Sequence, residues 1–450
     1  MYFPQEDAAV SQLLLNTIQP HAPSVHNIVI VGNTNTSFIT SIQNLCPHAH
    51  LHVFQMNQAW WLGDFHCALN QFLQNLPDKT IDCLLLKDFM QLQDHSIAWL
   101  QAARRLLTPQ SIVIANIKNS QHHQYIQQLL SQNSHNYTTV KFGNVAKLSL
   151  MEGIKVFLDA GMLPHLHQTL PQPAEAAFLD RLQAALTHLG MQDSISQMRL
   201  NQLQYIFTAQ IIPERLQNIE ADACSVLCAT NNPLQLQNNL AASPDLLTTR
   251  HQHELIAITN ASSIATAFQE GLKHATHTWL ILAHQDVYLP EGWLADIQHA
   301  WHIAEQKLGQ AIGVAGVAGT VKNQAGNFDY AGCVMDRIYT FNYLQSQLPL
   351  QAHSLDELVL VYRNDRFIPE LNPDFGFHYY ATESVFKAEE HGFIGAILPV
   401  PCLHNSSRYD STINDEDVKQ KSQTFYHTWQ HRLPIRTTIA YMTHEGITLN

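Results

Sequence analysis

Trp279-Leu280-Ile281-Leu282-Ala283-His284-Gln285-Asp286-Val287-Tyr288-Leu289-Pro290-Glu291-Gly292-Trp293 is the stretch that decides the reading of this chain. It opens with five uncharged apolar residues, the pattern of a strand buried on both faces. The character then changes to His284-Gln285-Asp286, and Pro290 and Gly292 start a new element. In open α/β sheets ligands sit beyond the carboxyl ends of the strands. A carboxylate there is costly to leave unpaired, so Asp286 calls for a cation or a donor-rich ligand. The plainer account is an Asp that caps the helix beginning near Gly292.

Working outward, Cys224–Thr230 reads as an earlier strand with its turn at Asn231-Asn232-Pro233, and Leu255–Asn260 as a second, followed by a helix from Ile264 to Lys273. Thr230, Asn231 and Asn260 would then stand at adjacent strand ends beside Asp286, though turn chemistry and helix capping explain Thr230 and Asn260 one at a time. Gly313 to Gly319 is a small-residue strand, and glycine in a strand admits close approach of a backbone or ligand. Residues 324–355 are poorly patterned and read as an insertion near the acceptor. Phe377-His378-Tyr379-Tyr380-Ala381-Thr382-Glu383 leads into a helix, and Leu398–Ser406 carries His404.

His-Gln-Asp-Val-Tyr-Leu-Pro after an apolar strand resembles the metal and nucleotide-sugar site of a bacterial branch of family 2 glycosyltransferases with the GT-A fold. The resemblance spans roughly residues 221–446. It implies a donor site of Thr230, Asn231, Asn260 and Asp286, and Mn²⁺ or Mg²⁺ held by Asp286 and His404, with His284 and His378 as further candidates. Relatives show Phe-His-x-Tyr-Gly-Thr-Asp with the Asp as base. Here Glu383 stands in its place, expected to take the proton of the acceptor hydroxyl. A carboxylate at a helix N-terminus is also favoured on plain electrostatic grounds.

The N-terminal half alternates strand and helix, as a parallel sheet covered on both faces does. The strands read at 26–31, 51–54, 81–86 and 111–116, with helices over 1–20, 37–45 and 96–107. Ile81–Asp88, Leu100–Pro109, Ile112–Asn119 and Ser149–Met162 resemble a class I S-adenosylmethionine-dependent methyltransferase. The binding residues are mostly missing. The first turn, Gly32-Asn33-Thr34-Asn35, has one glycine, and strand two ends in Gln55-Met56-Asn57 without an acid. A degenerate, structural domain is the expectation, without bound S-adenosylmethionine. Residues 174–189 and 194–219 carry apolar residues at helical spacing and read as a helical connector.

The expected architecture is therefore α/β, with two mixed or parallel-sheet Rossmann-like domains. Residues 1–165 form the methyltransferase-like domain, 166–221 the connector, and 222–450 the GT-A domain. The expected function is metal-dependent transfer of a sugar (a hexosyltransferase activity, of the kind that builds bacterial surface polysaccharide) from a nucleoside-diphosphate sugar to a glycan or glycoconjugate hydroxyl. The alternatives are a bifunctional methyltransferase/glycosyltransferase and a non-catalytic scaffold.

Composition bounds the partners. The 450 residues are 46% hydrophobic and 14% charged, which is globular. Lys and Arg total 24 against 37 Asp and Glu, and a net charge of −13 argues against nucleic acid or an anionic membrane as partner. No stretch reaches the roughly 18 apolar residues of a membrane span. The acidic start lacks the basic and apolar regions of a signal peptide, so a cytoplasmic location is expected. Seven cysteines without framework spacing read as free thiols. Cys46, His48, His50 and His52 alternate on one face of an extended segment, a ligand-rich pattern for zinc. Neighbours in that row lie roughly 7 Å apart, too spread for one ion. Among the 27 histidines, His122-His123 and His251-Gln252-His253 read as solvated surface.

Overall fold

The computed structural model describes residues 4–55, 62–88, 93–124, 126–127, 149–188, 200–212, 221–247, 253–337, 339–344, 347–406 and 416–449. The chain is α/β and divides into two compact units, Met1–Pro213 and Glu214–Asn450.

The first unit holds one six-stranded sheet in the order β2-β1-β3-β4-β6-β5. Its strands are β1 Asn27–Gly32, β2 His50–Gln55, β3 Ile81–Lys87, β4 Leu107–Lys118, β5 Met162–Pro171 and β6 Gln202–Ile211. The first four run parallel, and β6 is antiparallel to both β4 and β5. Val29, Ile30, Leu84, Leu85 and Ile114 are fully buried, as expected of strands covered on both faces. Gly32 has φ +138°, and a Cβ there would overlap the Lys87 carbonyl. This glycine is required by the neighbouring strand. Around the same turn, buried Lys87 pairs with Asp7 and donates to the Asn33 carbonyl at 2.8 Å, while the Gln55 amide donates to the Thr34 carbonyl. The Asn33 and Thr34 carbonyls are thus engaged, while the Thr34 hydroxyl is buried with no hydrogen-bond partner.

The expected helical connector over 166–221 is not what the chain forms. Residues 176–188 are helical, but β5 runs on to Pro171 and Gln202–Ile211 is a strand of the first sheet. Leu203, Tyr205, Ile206, Phe207 and Ala209 are all buried. A strand buried on both faces shows no alternation, so its apolar residues match a helical spacing as readily as an extended one. Pro164 and Pro171 are tolerated because β5 is the sheet's edge. Residues 189–199 and 213–220, on which part of the expected connector falls, lie outside the described residues.

Two histidine readings also change. His122 and His123 are buried, rings 4.2 Å apart, with both Nε2 atoms at the Gln172 carbonyl. His253 accepts the Cys224 N–H through Nδ1, and residues 251 and 252 are outside the described set. The seven cysteines are free thiols. No helix among the described residues is long and apolar enough to cross a membrane.

The second unit is built on a seven-stranded sheet, β15-β18-β11-β17-β9-β7-β8, and a second sheet, β10-β19-β13-β12-β16, with β14 paired to β13. The strands are β7 Cys224–Thr230, β8 Glu254–Thr259, β9 Trp279–Ala283, β10 Val287–Tyr288, β11 Ile312–Gly316, β12 Ala318–Lys322, β13 Phe328–Asp336, β14 Tyr339–Tyr343, β15 Leu350–Ala352, β16 Ser354–Leu355, β17 Val359–Arg363, β18 Ile394–Ile397 and β19 Cys402–His404. Residues 324–355, unpatterned in the sequence, supply β13 to β16. Strands β7, β8 and β9 are parallel, so Thr230, Thr259 and the His284–Asp286 tip come out on one edge. All five residues of β9 are buried. The chain leaves β9, turns through His284-Gln285-Asp286, and enters the second sheet as β10, which pairs with β19 so that Val287 lies opposite His404. This crossover brings residues 118 positions apart in sequence to one corner.

His353, between β15 and β16, carries a pH dependence. Burial, with help from the charges of Lys322 and Arg432, lowers its pKa from 6.5 to about 4. Its Nε2 accepts the Arg436 N–H, and its ring lies 4.6 Å from that of Phe328. The folded value lies below the unfolded one, so the neutral form is the stabilised one. Its contribution is complete above pH 6.5 and is lost as pH falls toward 4. At pH 5 the loss is about 2 kcal/mol from this residue alone. Denaturant titrations at pH 7.5 and 5 should give a difference smaller by about that amount in His353→Gln.

Candidate functional site

Three side chains meet where β9 ends. One ligand atom each from His284, Asp286 and His404 lies within 4.8 Å of the others, the only such group of three or more among the described residues. His404 Nε2 is 3.5 Å from Asp286 Oδ2, and His284 Nδ1 is 4.0 Å from Oδ1. Asp286 is 17% exposed, and its Oδ1 is buried with no hydrogen-bond partner. The helix Trp293–Leu308 does not use it as a cap. Asp245 accepts the Gly292 and Leu294 N–H groups instead. The capping account of Asp286 is thereby removed.

The hydrogen bonds fix both imidazoles. Tyr380 Oη donates its proton to the Glu357 carbonyl at 2.5 Å, so at 2.9 Å it can only accept from His284 Nε2–H. The lone pair of His284 is then on Nδ1, toward Asp286. His404 Nδ1 lies 3.0 Å from Asp336 Oδ1, and this carboxylate accepts an Nδ1–H, which turns Nε2 toward Asp286. A carboxylate behind a histidine is the usual means of orienting a metal-binding ring. The cluster presents two imidazole nitrogens and an unsatisfied carboxylate oxygen to one point, a mixed nitrogen–oxygen donor set that would suit Mn²⁺ better than Mg²⁺, which takes oxygen ligands.

Without a metal the same groups pair as charges. Burial opposes the charged form of His404, but the hydrogen bonds and charges of Asp286 and Asp336 raise its pKa to about 9. Burial also works against the Asp286 and Asp336 carboxylates, and His404 more than offsets it, holding both below the ordinary range, with Arg337 assisting at Asp336. For His284 burial prevails and keeps the ring neutral. Replacing Asp336 with alanine removes the group that orients His404, and metal affinity should fall by about 10- to 100-fold in a calorimetric titration with Mn²⁺.

Gln285, which the sequence reading gave no role, ties the strand ends together. Its Oε1 accepts from the Thr230 hydroxyl at 2.7 Å and from the Asn231 and Asn232 N–H groups, and its Nε2 donates to Asn231 Oδ1. The expected donor-binding residues Thr230 and Asn231 do lie at the crevice, but this bracing engages the Thr230 hydroxyl and the Asn231 carbonyl oxygen. Asn260 is exposed at the end of β8 with φ +60°.

Glu383 is not placed as a base. It is 1% exposed. Its Oε2 accepts the Asn372 N–H at 2.9 Å, and Oε1 is 3.3 Å from Lys387 Nζ. Burial raises its pKa against those two partners. Both carboxylate oxygens face partners inside the domain, and neither is open to a substrate hydroxyl in this structure. Two further acidic residues lie next to the corner, Asp356, whose charge acts on His284, and Glu357. His284 N–H donates to the Leu358 carbonyl, so residues 357–358 run directly opposite the β9 tip. The Glu357 side chain is 19% exposed and 4.0 Å from His378 Nδ1, which in turn lies 3.7 Å from Asp417 through Nε2. Burial and the charge of Asp356 push the Glu357 pKa well above the carboxylate range, against a hydrogen bond from the Tyr379 N–H. His378 lies beside this carboxylate and outside the metal group.

The Cys46, His48, His50 and His52 row forms no ligand group in the structure. Cys46 caps the helix Thr36–Leu45.

The corner and its sheet lie inside one recognised region. Residues 225–427 match the Glycosyltransferase like family. This glycosyltransferase-like domain contains every residue of the corner, and the match supports glycosyl transfer as its general activity. No curated protein matches the chain. Among solved structures, a SAM dependent methyltransferase from Archaeoglobus fulgidus aligns with 44% of this chain and 94% of its own at 9% identity and a TM-score of 0.26. The plantazolicin methyltransferase BpumL in complex with SAH aligns at 45% and 84%, with 16% identity and a TM-score of 0.28. A SAM-dependent methyltransferase from Thermotoga maritima aligns at 45% and 88%, with 12% identity and a TM-score of 0.26. These alignments fall on the N-terminal part of the chain.

Proposed function

We propose that residues 222–450 transfer a sugar from a nucleoside-diphosphate sugar to a hydroxyl of a saccharide acceptor, with a divalent metal held by Asp286, His404 and His284. The observation that carries this reading is the corner itself, where an imidazole nitrogen each from His284 and His404 and the unsatisfied Asp286 Oδ1 converge at the end of a buried strand. A divalent ion bound there supplies positive charge to the departing diphosphate. Gln285 holds the ends of β7 and β9 in register, so the floor under the donor is rigid. Asp336 fixes the His404 ring, and Tyr380 fixes that of His284.

Glu357 is the acceptor's base in this scheme. The acceptor oxygen forms its bond to the anomeric carbon, the bond from that carbon to the diphosphate breaks, and the hydroxyl proton goes to the Glu357 carboxylate. Burial and the charge of Asp356 raise the Glu357 pKa, which makes its carboxylate more basic than an ordinary one. The test is a plate of UDP-, GDP- and dTDP-sugars with Mn²⁺. One base should raise the melting temperature and be hydrolysed slowly in the absence of acceptor. If no donor shifts the melting point or is hydrolysed, the proposal is wrong.

A further inference from the structure

The hairpin of β13 and β14 carries large exposed aromatic side chains that the corner does not use. Tyr339 is 60% exposed, Phe341 43%, Tyr343 50% and Tyr330 37%. Strand register puts them on one face. Residues directly opposite in a ladder project to the same side, and so do residues two apart in a strand. Tyr339 lies opposite Asp336, Phe341 opposite Val334 and Tyr343 opposite Gly332, with Tyr330 two further along β13. The rings of Phe341 and Tyr343 are 6.4 Å apart, and those of Tyr343 and Tyr330 6.2 Å. At the far end the Arg436 guanidinium lies over Tyr330 and Tyr441, and it donates to the Tyr330 hydroxyl.

The near end of this row is the reactive corner. Asp336, which faces Tyr339 across the ladder, also lies beside His404 in the neighbouring strand and bonds its ring. Tyr339, Asp336 and His404 therefore form one transverse line across three strands. The aromatic row leads away from it for roughly 20 Å, at about 6.7 Å for each two-residue step. It is one ring wide. Thr340 and Asn342 alternate with its members and project to the other face of β14, and the β13 residues opposite the row are Gly332, the buried Val334 and Asp336. Flat apolar faces with hydroxyls at their edges suit a ligand that has C–H faces and a hydroxyl rim.

We propose that this row is an extended acceptor platform that binds a saccharide chain of several sugar rings, stacked in succession on Tyr339, Phe341, Tyr343 and Tyr330, with the growing end at the His404 corner. The proposal rests on reading that corner as a glycosyl-transfer site. It specifies a polymeric acceptor, one whose affinity rises with chain length.

The experiment uses the full chain on a printed array of oligosaccharides, followed by titration of the best-bound glycan and its shorter homologues. The wild type should bind glycans of several residues more tightly than their disaccharides. Tyr339→Ser/Phe341→Ser/Tyr343→Ser should weaken that binding by at least about tenfold, whereas Tyr339→Phe/Tyr343→Phe keeps it within a few-fold. In both variants the rise in melting temperature caused by Mn²⁺ alone should persist. This reports on the metal corner separately. A wild type that binds no glycan, or a serine variant that binds as well as the wild type, would overturn the platform. So would a wild type that sediments as a dimer and becomes a monomer in the serine variant, since a second copy would then be the occupant. Glycan binding that depends on the row, without any Mn²⁺ response, would keep the platform and remove the metal site.

Discussion

In the proposed reaction Asp286→Ala should lower kcat/KM for sugar transfer by about a thousandfold at saturating Mn²⁺, because the ion this carboxylate would hold would supply several kcal/mol of charge stabilisation to the diphosphate. The fold should tolerate the change. Asp286 Oδ1 has no hydrogen-bond partner, Oδ2 meets only His404 at 3.5 Å, and the turn is held by backbone bonds from Val287 to His284 and from Asn405 to the Asp286 carbonyl. Initial rates at increasing Mn²⁺ check the prediction, with the melting temperature of the metal-free variant as the control. A variant as active as the wild type would remove Asp286 from the chemistry.

The second large effect separates two glutamates. Glu357→Gln keeps the size and the backbone contacts of residue 357 but cannot accept the acceptor proton, so kcat should drop by roughly 10²- to 10⁴-fold with Mn²⁺ affinity unchanged. The pH–rate profile should also lose its acidic limb. Glu383→Gln should behave in the opposite way. The Glu383 charge is held against burial, the amide can still accept the Asn372 N–H, and Lys387 keeps the Glu370 carbonyl, so stability should stay within about 1 kcal/mol and the folded enzyme's kcat within a few-fold. Measuring kcat and denaturant stability on both variants assigns each role. The reverse pattern would return the base to Glu383.

The difference between these glutamates shows what the sequence could carry. His284-Gln285-Asp286 was legible because an uninterrupted apolar run ends in polar residues, and buried strands end where ligands sit. His404 was legible in the same way after Leu398–Leu403. Asp336 has a comparable local pattern, with Ala331 to Met335 before it, but only the pairing of β13 with β19 reveals that it orients His404. Glu357 has no local pattern at all. It comes next to the corner through the antiparallel pairing of β17 with β9, in which Val359 lies opposite Ala283, 76 positions away. Glu383 misled because a carboxylate in the first turn of a helix satisfies either reading, and burial decides between them. In the first unit, β6 reads as helix in the sequence because burial on both faces erases the alternation that marks a strand, while the parallel strands β1, β3 and β4 stand out as β-branched and leucine-rich runs.

The most direct test of the account is a crystal of the protein soaked with Mn²⁺ and a nucleoside diphosphate, measured for anomalous scattering at the manganese edge. The account predicts one strong peak at the tip of β9, in contact with Asp286, His404 Nε2 and His284 Nδ1, and bridged to the diphosphate. Manganese bound elsewhere, or a corner in which His404 stays paired with Asp286 and Asp336 and no ion enters at saturating concentration, would contradict it.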